Sequence, residues 1–477
     1  MKASHLYVSA GLIALTSFSH LAAALDDGIP DIPTFSKCAW PTMMSPEGLG
    51  NYLGGPDGQA RYWLTPFYNN YQTMEIEGHY PHARYFSLVV YDGDEHGLPR
   101  STAGHLYDAI IEPDPDGIDS FPKAMSATQS AKHVGGSYTV EVTRDDETVG
   151  INVIHVTENH AWVMLRIYVP STEESPSGLA TLGGVPLPTI KLYGDGKDAP
   201  EILEPCPLNA PQPQQDFYPV RSINKLADVR ALLQFFFPDD LVLNQASDYD
   251  DEPENGLIWL APPWNPPMLL MPNPDNKYLV GMPGPYQKGR IIVIRAKAPT
   301  VPGKNGGTAD MRYWSMCNTQ LEAPIASVGC LSDRTAVTQG GWYTVVVSDD
   351  LIRPDWLPRT INWLPWGDGE YLKWFFFRNM IPVESEAQYD NKDLFPYAIQ
   401  KVVAGCWLGK QNPEIGKTAC DNPDAVVDFT FPDLPPRADI TAAGPYVKAI
   451  MGEYYPVAVW CDKSAFKRGG WRACLND

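Results

Sequence analysis

Arg312-Tyr313-Trp314-Ser315 and Arg84-Tyr85-Phe86-Ser87 are two versions of one tetrapeptide, and the residues around each recur in the same order. Upstream, Pro56-Asp57-Gly58 with Arg61-Tyr62 answers to Pro274-Asp275-Asn276-Lys277-Tyr278, and Ile76 with Pro81 answers to Ile294 with Pro299. Downstream, Tyr138-Thr139-Val140-Glu141-Val142 answers to Tyr343-Thr344-Val345-Val346-Val347. Last come Arg166-Ile167-Tyr168-Val169-Pro170 and Arg378-Asn379-Met380-Ile381-Pro382. Ordered matches spread over about 110 residues indicate an internal duplication, with a first repeat near 52 to 170 and a second near 271 to 382.

Within the first repeat, Met74 to Glu77, Tyr85 to Tyr91, Tyr138 to Thr143, Ile151 to Val156 and Trp162 to Val169 have strand character. The second offers Ile291 to Arg295, Arg312 to Asn318, Tyr343 to Ser348 and Lys373 to Asn379. Several alternate apolar and polar residues, which puts one face on a core and the other toward water. Helical spacing of Leu226, Val229, Leu232 and Leu233 predicts a helix over 222–237, stopped by Pro238, and a second helix is expected near 395–405. The expected fold is mainly β: two duplicated antiparallel β-sandwich-like domains, each buttressed by a helix and stabilised by disulfides. Its expected boundaries are a leader at 1–24, a first domain at 25–215, a helical and acidic linker at 216–270, and a second domain at 271–477.

The 477 residues carry 36 Lys and Arg against 57 Asp and Glu, a formal charge of −21. Such a surface repels nucleic acid and anionic lipid, so neither is expected as a partner. Lys2, the apolar run from Leu6 to Phe18 and the small residues Ala22-Ala23-Ala24 have the form of a secretory leader cleaved after Ala24. No later stretch approaches the roughly 20 apolar residues needed to span a bilayer. The expected location is therefore the secretory pathway or outside the cell.

Eight cysteines suit that oxidising compartment. Cys317 and Cys330 flank a hairpin-like segment, Cys406 and Cys420 a loop, and Cys461 and Cys474 another, leaving Cys38 and Cys206 around the first repeat; spacing alone leaves the connectivity open. There is no C-x-x-C, which disfavours zinc ribbons and thioredoxin-type sites. Neither G-x-S-x-G, H-E-x-x-H, a Walker loop nor G-x-G-x-x-G occurs, so no metal or cofactor is expected. The pairs His79/His82 and His155/His160 and the acidic runs 114–119 and 248–254 are the nearest approaches to a cation site. The run at 114–119 lacks the closing Glu of a calcium loop.

Residues kept in both repeats serve what the repeats share, the fold. Arg84, Arg312, Arg166 and Arg378 are expected to tie carboxylates or carbonyls across sheets, because a charge inside an apolar strand must be paired. Function is sought where the repeats differ. The second carries Trp314, Trp342, Trp356, Trp363, Trp366 and Trp374, and Trp342 stands where the first has Ser137. These aromatics either fill a core or wall a ligand pocket. Lys401 is the lone charge between Phe395 and Trp407 and either snorkels to water or points into a cavity as a donor. The site assigned on this basis has Lys401 and Trp342 as catalytic residues and Trp363, Trp366 and Tyr343 as substrate-binding residues, with a hydrophobic or aromatic small molecule as partner.

The R-Y-[FW]-S, Y-T-V and R-x-x-x-P blocks resemble a group of secreted two-repeat β-proteins from fungi and actinobacteria. In leader, length and cysteine-bearing β layout the chain is also similar to the fungal hetero-Diels-Alderases of tropolone sesquiterpenoid biosynthesis. That resemblance implies a cofactor-free pericyclase joining a tropolone quinone methide to the alkene of a humulene-type terpene. The alternative is a secreted non-catalytic protein, carbohydrate-binding or structural, with exposed tryptophans stacking on sugars.

Overall fold

Tyr138, Val140 and Val142 are buried while Ser137, Thr139 and Glu141 are half-buried, as in a strand with only one face on a core. The strands that carry the repeated arginines do not alternate. His160–Pro170 is buried except at its two ends, and Met311–Gln320 except at its last residue. Strands of that kind are covered on both faces.

The computed structural model describes residues 38–44, 55–93, 99–115, 136–170, 182–194, 199–207, 256–257, 259–260, 271–281, 283–284, 286–301, 309–320, 326–369, 373–382 and 452–475. In chain order the first domain supplies β1 (Thr42–Met44), β2 (Ala60–Tyr68), β3 (Thr73–His79), β4 (Ala83–Gly93), β5 (Pro99–Tyr107), β6 (Ser137–Thr143), β7 (Val153–His155), β8 (His160–Pro170), β9 (Thr189–Tyr193) and β10 (Glu201–Leu203). The second supplies β11 (Gly256–Leu257), β12 (Trp259–Leu260), β13 (Asn276–Gly281), β14 (Arg290–Lys297), β15 (Met311–Gln320), β16 (Ser327–Ser332), β17 (Thr338–Gln339), β18 (Trp342–Ser348), β19 (Asn362–Pro365), β20 (Lys373–Pro382) and β21 (Val457–Asp462). Two short helices follow, α1 (Lys463–Gly469) and α2 (Trp471–Cys474).

Each domain is a sandwich of two mainly antiparallel sheets. In the first they run β1-β2-β8-β4-β5 and β10-β9-β3-β6-β7. In the second they run β12-β13-β20-β15-β16 and β11-β21-β14-β18-β17, with β19 also paired to β18. The topology is repeated down to its exceptions, since β7 lies parallel to β6 as β19 lies parallel to β18. Register confirms the duplication: Ser87 faces Arg166 across a strand pair, and Ser315 faces Arg378. Inside the sandwiches Phe86 stacks on Tyr138 and Trp314 on Tyr343 at equivalent places.

One block match needs correcting. Tyr62 accepts a hydrogen bond from the backbone of Asp57, and Tyr278 accepts one from Asn273, five residues before it in each case. Asp57 therefore corresponds to Asn273, and Gln59 to Asp275, two residues away from the match that the shared Pro-Asp suggests. The expected linker also needs trimming, because β11 and β12 pair with β21 and β13 of the second domain. The predicted helices at 222–237 and 395–405 lie outside the described residues, as do the leader, Lys401, the acidic run 248–254 and most of 114–119. The helices that are described, α1 and α2, pack on β21.

Cys38–Cys206, Cys317–Cys330 and Cys461–Cys474 are disulfide-bonded. The first ties the proline-rich arm to the end of the first domain, where Ala39 also bridges Pro205. The second joins residues directly opposed on β15 and β16. Among the described residues no helix is long and apolar enough to cross a membrane.

Candidate functional site

Two regions concentrate chemistry, and the repeated arginines build the first. Phe86, Leu88 and Val90 of β4 point into the first core, which leaves Tyr85, Ser87 and Tyr91 on the opposite face of that strand. That face meets its counterpart from the second domain. Arg84 pairs with Asp333 of the other repeat, and Arg312 pairs with Asp108. The two carboxylates are equivalent, since the backbone N–H of Asp108 bonds Phe86 O as that of Asp333 bonds Trp314 O. Tyr85 donates to Asp275 at 2.7 Å, and Tyr313 donates to Asp57 at 2.6 Å. Arg166 donates to Met271 O at 2.6 Å, and Arg378 to Gly55 O at 2.5 Å. The Arg84–Asp333 and Arg312–Asp108 pairs answer each other, as do the Arg166 and Arg378 bonds to Met271 and Gly55, the reciprocal pattern of a twofold dimer interface, whereas the tyrosine-bound carboxylates Asp275 and Asp57 stand at non-equivalent positions.

The backbone is shaped to match. Gly55 and Met271, whose carbonyls receive these arginines, both have positive φ, as do Val169 and Ile381 at the ends of β8 and β20. A β-branched residue in that region is a costly conformation that surrounding contacts must hold. A Cβ on Gly55 would lie 2.8 Å from the Thr319 side chain, so only glycine fits there. Asp57, Asp108, Arg166, Arg312 and Arg378 are all buried, and burial holds the Asp108 carboxyl above its ordinary range against the pull of Arg312. The expected cross-sheet role of the arginines is met, with the added finding that the sheets belong to different repeats. One departure from symmetry stands out: His105 Nε2 lies 3.0 Å from Asp275, where the second repeat has Gln59 of the first as the carboxylate's counterpart and disulfide-bonded Cys330 in place of the histidine.

The second region is the outward face of the β14–β18 sheet. Trp342 opens β18 opposite Lys297 of β14, as Ser137 opens β6 opposite His79 of β3, so these positions are equivalent. Successive strand residues face opposite ways, and Trp342 and Tyr343 are neighbours. Tyr343 is buried in the sandwich core on Trp314, with its phenol pushed up by burial. Trp366 is also buried there, tilted against Tyr286 and Trp460. Neither reaches the face that bears Trp342, so the assignment of Tyr343 and Trp366 as ligand contacts beside it does not stand. Trp363 sits opposite Val346 on the outward face and donates to Ser348 Oγ at 2.9 Å. Four residues of β18 separate that level from Trp342, roughly 13 Å along the strand.

Around Trp342 the sheet and α2 assemble residues that the sequence reading did not single out. The Arg295 guanidinium lies over the Trp342 ring at 5.0 Å and over Trp471 at 4.9 Å, and Arg472 lies 5.8 Å over Trp471. Arg295 also donates to Thr344 Oγ1 at 2.7 Å. Burial, and then the nearby Arg472, hold Arg295 below its ordinary pKa. Trp342, Trp471 and Arg295 are half-buried and Arg472 is exposed, so the cluster opens to solvent. An arginine inside the apolar run Ile291-Ile292-Val293-Ile294-Arg295, together with a late Trp471-Arg472, is the signal that could have found it.

No family model matches this chain, and no curated protein matches it. Among solved structures it is similar to an uncharacterized protein from Burkholderia cenocepacia, at 16% identity and TM-score 0.44, over 81% of this chain and 88% of that one. It is also similar to a Vibrio parahaemolyticus protein at 12% identity and TM-score 0.31, over 69% of this chain and 86% of the other.

Proposed function

We propose that this chain is a secreted, cofactor-free pericyclase of the hetero-Diels-Alder type, joining a tropolone quinone methide to a humulene-type terpene, with its binding surface around Trp342. The observation that carries the reading is the solvent-open Trp342–Arg295–Trp471 cluster, at a position that the first repeat leaves to Ser137. Indole faces offer apolar area to two flat reactants. A fixed guanidinium offers hydrogen bonds to the ring oxygens on which charge builds. A cycloaddition needs little beyond this, since holding both partners in a near-attack pose lowers the entropic part of the barrier. Lys401, on the expected helix after the second repeat, is the further donor in this reading. The leader sequence and the disulfides support the secretory pathway as the location.

The same half-exposed indoles favour one other reading, a non-catalytic carbohydrate binder. Mixing purified protein with a quinone-methide precursor and a humulene-type alkene tests the first, with product rate and enantiomeric excess measured against a protein-free control. Racemic product at the uncatalysed rate sinks the pericyclase. Retention of the same protein on a glycan array would then favour the second reading.

A further inference from the structure

Three cations around the β14–β18 face have a carboxylate partner. Arg290 reaches Asp462 at 3.8 Å, Lys297 reaches Glu453 at 3.1 Å and Lys463 reaches Asp350 at 3.3 Å. Arg295 and Arg472 have no carboxylate partner among the described residues, although the chain as a whole carries 57 acidic residues against 36 basic ones. Two guanidiniums that meet the same Trp471 ring, at 4.9 and 5.8 Å, form a local reversal of sign in a protein of net −21. Such a reversal attracts an anion.

Geometry restricts the kind of anion. Arg295 lies over both indoles and gives Nη1 to Thr344, so a ligand meets its remaining N–H groups at the guanidinium edge, beside the rings. That edge matches two coplanar oxygens, as a carboxylate or an enolate with a neighbouring carbonyl presents them. A ligand bonded there in plane would carry its flat body along the indoles. A compact anion such as phosphate would use the charge and leave the aromatic walls idle.

We propose that Arg295, Arg472, Trp342 and Trp471 form a binding site for a planar conjugated organic anion that has two coplanar oxygens. The site is that of the functional reading above, but the inference stands on charge and shape and does not require the cycloaddition. Arg295 takes the oxygens, Arg472 adds field from the exposed side, and the two indoles that flank Arg295 give flat apolar area beside the ring system.

The test titrates the full chain with 2-naphthoate, its neutral amide and acetate, following tryptophan fluorescence at low salt. Naphthoate is expected to bind at least about tenfold more tightly than either of the others, because only it uses both charge and stacking. Arg472→Gln, at an exposed position, and Arg295→Gln should each cost about tenfold in naphthoate affinity, and raised salt should weaken binding in the parent protein. Trp342→Phe should keep most of the affinity and Trp342→Ala lose it. Equal affinity for naphthoate and naphthamide overturns the proposal, and so does unchanged affinity in Arg472→Gln even if Arg295→Gln fails to fold. Anion binding without turnover would leave this inference standing and remove the pericyclase; turnover without anion preference would do the reverse.

Discussion

The junction between the repeats and the outer face of the second repeat both hold arginine against aromatic rings, yet they are built by opposite rules. At the junction every repeated arginine has a carboxylate or carbonyl waiting on the other repeat, and these four contacts form two equivalent pairs. On the outer face Arg295 and Arg472 have no described carboxylate partner, and the first repeat has Glu77 at the place of Arg295 and Ser137 at the place of Trp342. Duplicated residues are held by what both copies need, here their mutual contact. A residue present in only one copy is free of that requirement and available for a ligand.

The largest effect that could break this comparison is on stability. Arg312→Ala leaves Asp108 buried without its partner and is expected to cost about 3–5 kcal/mol in chemical denaturation. Replacing both residues by leucine should cost far less. If Trp342→Ala proved as destabilising as Arg312→Ala, the division between structural junction and functional face would fail.

Next comes activity. Lys401→Ala is expected to slow turnover about a hundredfold or more, the usual effect of removing an electrostatic donor worth about 2.7–4 kcal/mol. Its melting temperature should stay close to that of the parent protein. A large loss of stability with proportionate loss of activity would make Lys401 a structural residue instead.

Removing Cys317–Cys330 by a double serine substitution should cost about 3 kcal/mol, given its separation of 13 residues. Because the bond spans two strands facing the junction, the loss should appear in urea midpoints while naphthoate affinity is kept. A matching fall in affinity would show that the two regions are coupled.

The mildest effect near neutrality grows with alkali. Burial holds the phenols of Tyr62, Tyr85, Tyr168 and Tyr313 above their ordinary value of about 10. The folded state thus keeps protons that the unfolded chain releases, so this stabilisation is complete below about pH 10 and lost as pH rises toward the folded values. Tyrosinate absorbance should therefore rise together with loss of near-ultraviolet dichroism. Independent, early titration of these phenols in the folded protein would contradict their burial.

The duplication and the β class were legible in the chain, because each is written in neighbouring residues as ordered blocks and period-two alternation; a spacing of a dozen or so positions suggested Cys317–Cys330 and Cys461–Cys474, and the structure fixed them. Strand parity was equally available, and it already put Trp342 and Tyr343 on opposite faces of one strand. The tertiary structure alone decided the rest. Asp108 and Asp333, which receive the repeated arginines, lie outside the matched blocks and in the opposite repeat, 204 and 249 positions from their partners. Arg295 meets Trp471 only because β21 runs beside β14 and carries α2 with it. Local patterns follow from the stereochemistry of adjacent residues, whereas the partner of a buried charge is chosen by how whole sheets pack, and no neighbour in the chain records that choice.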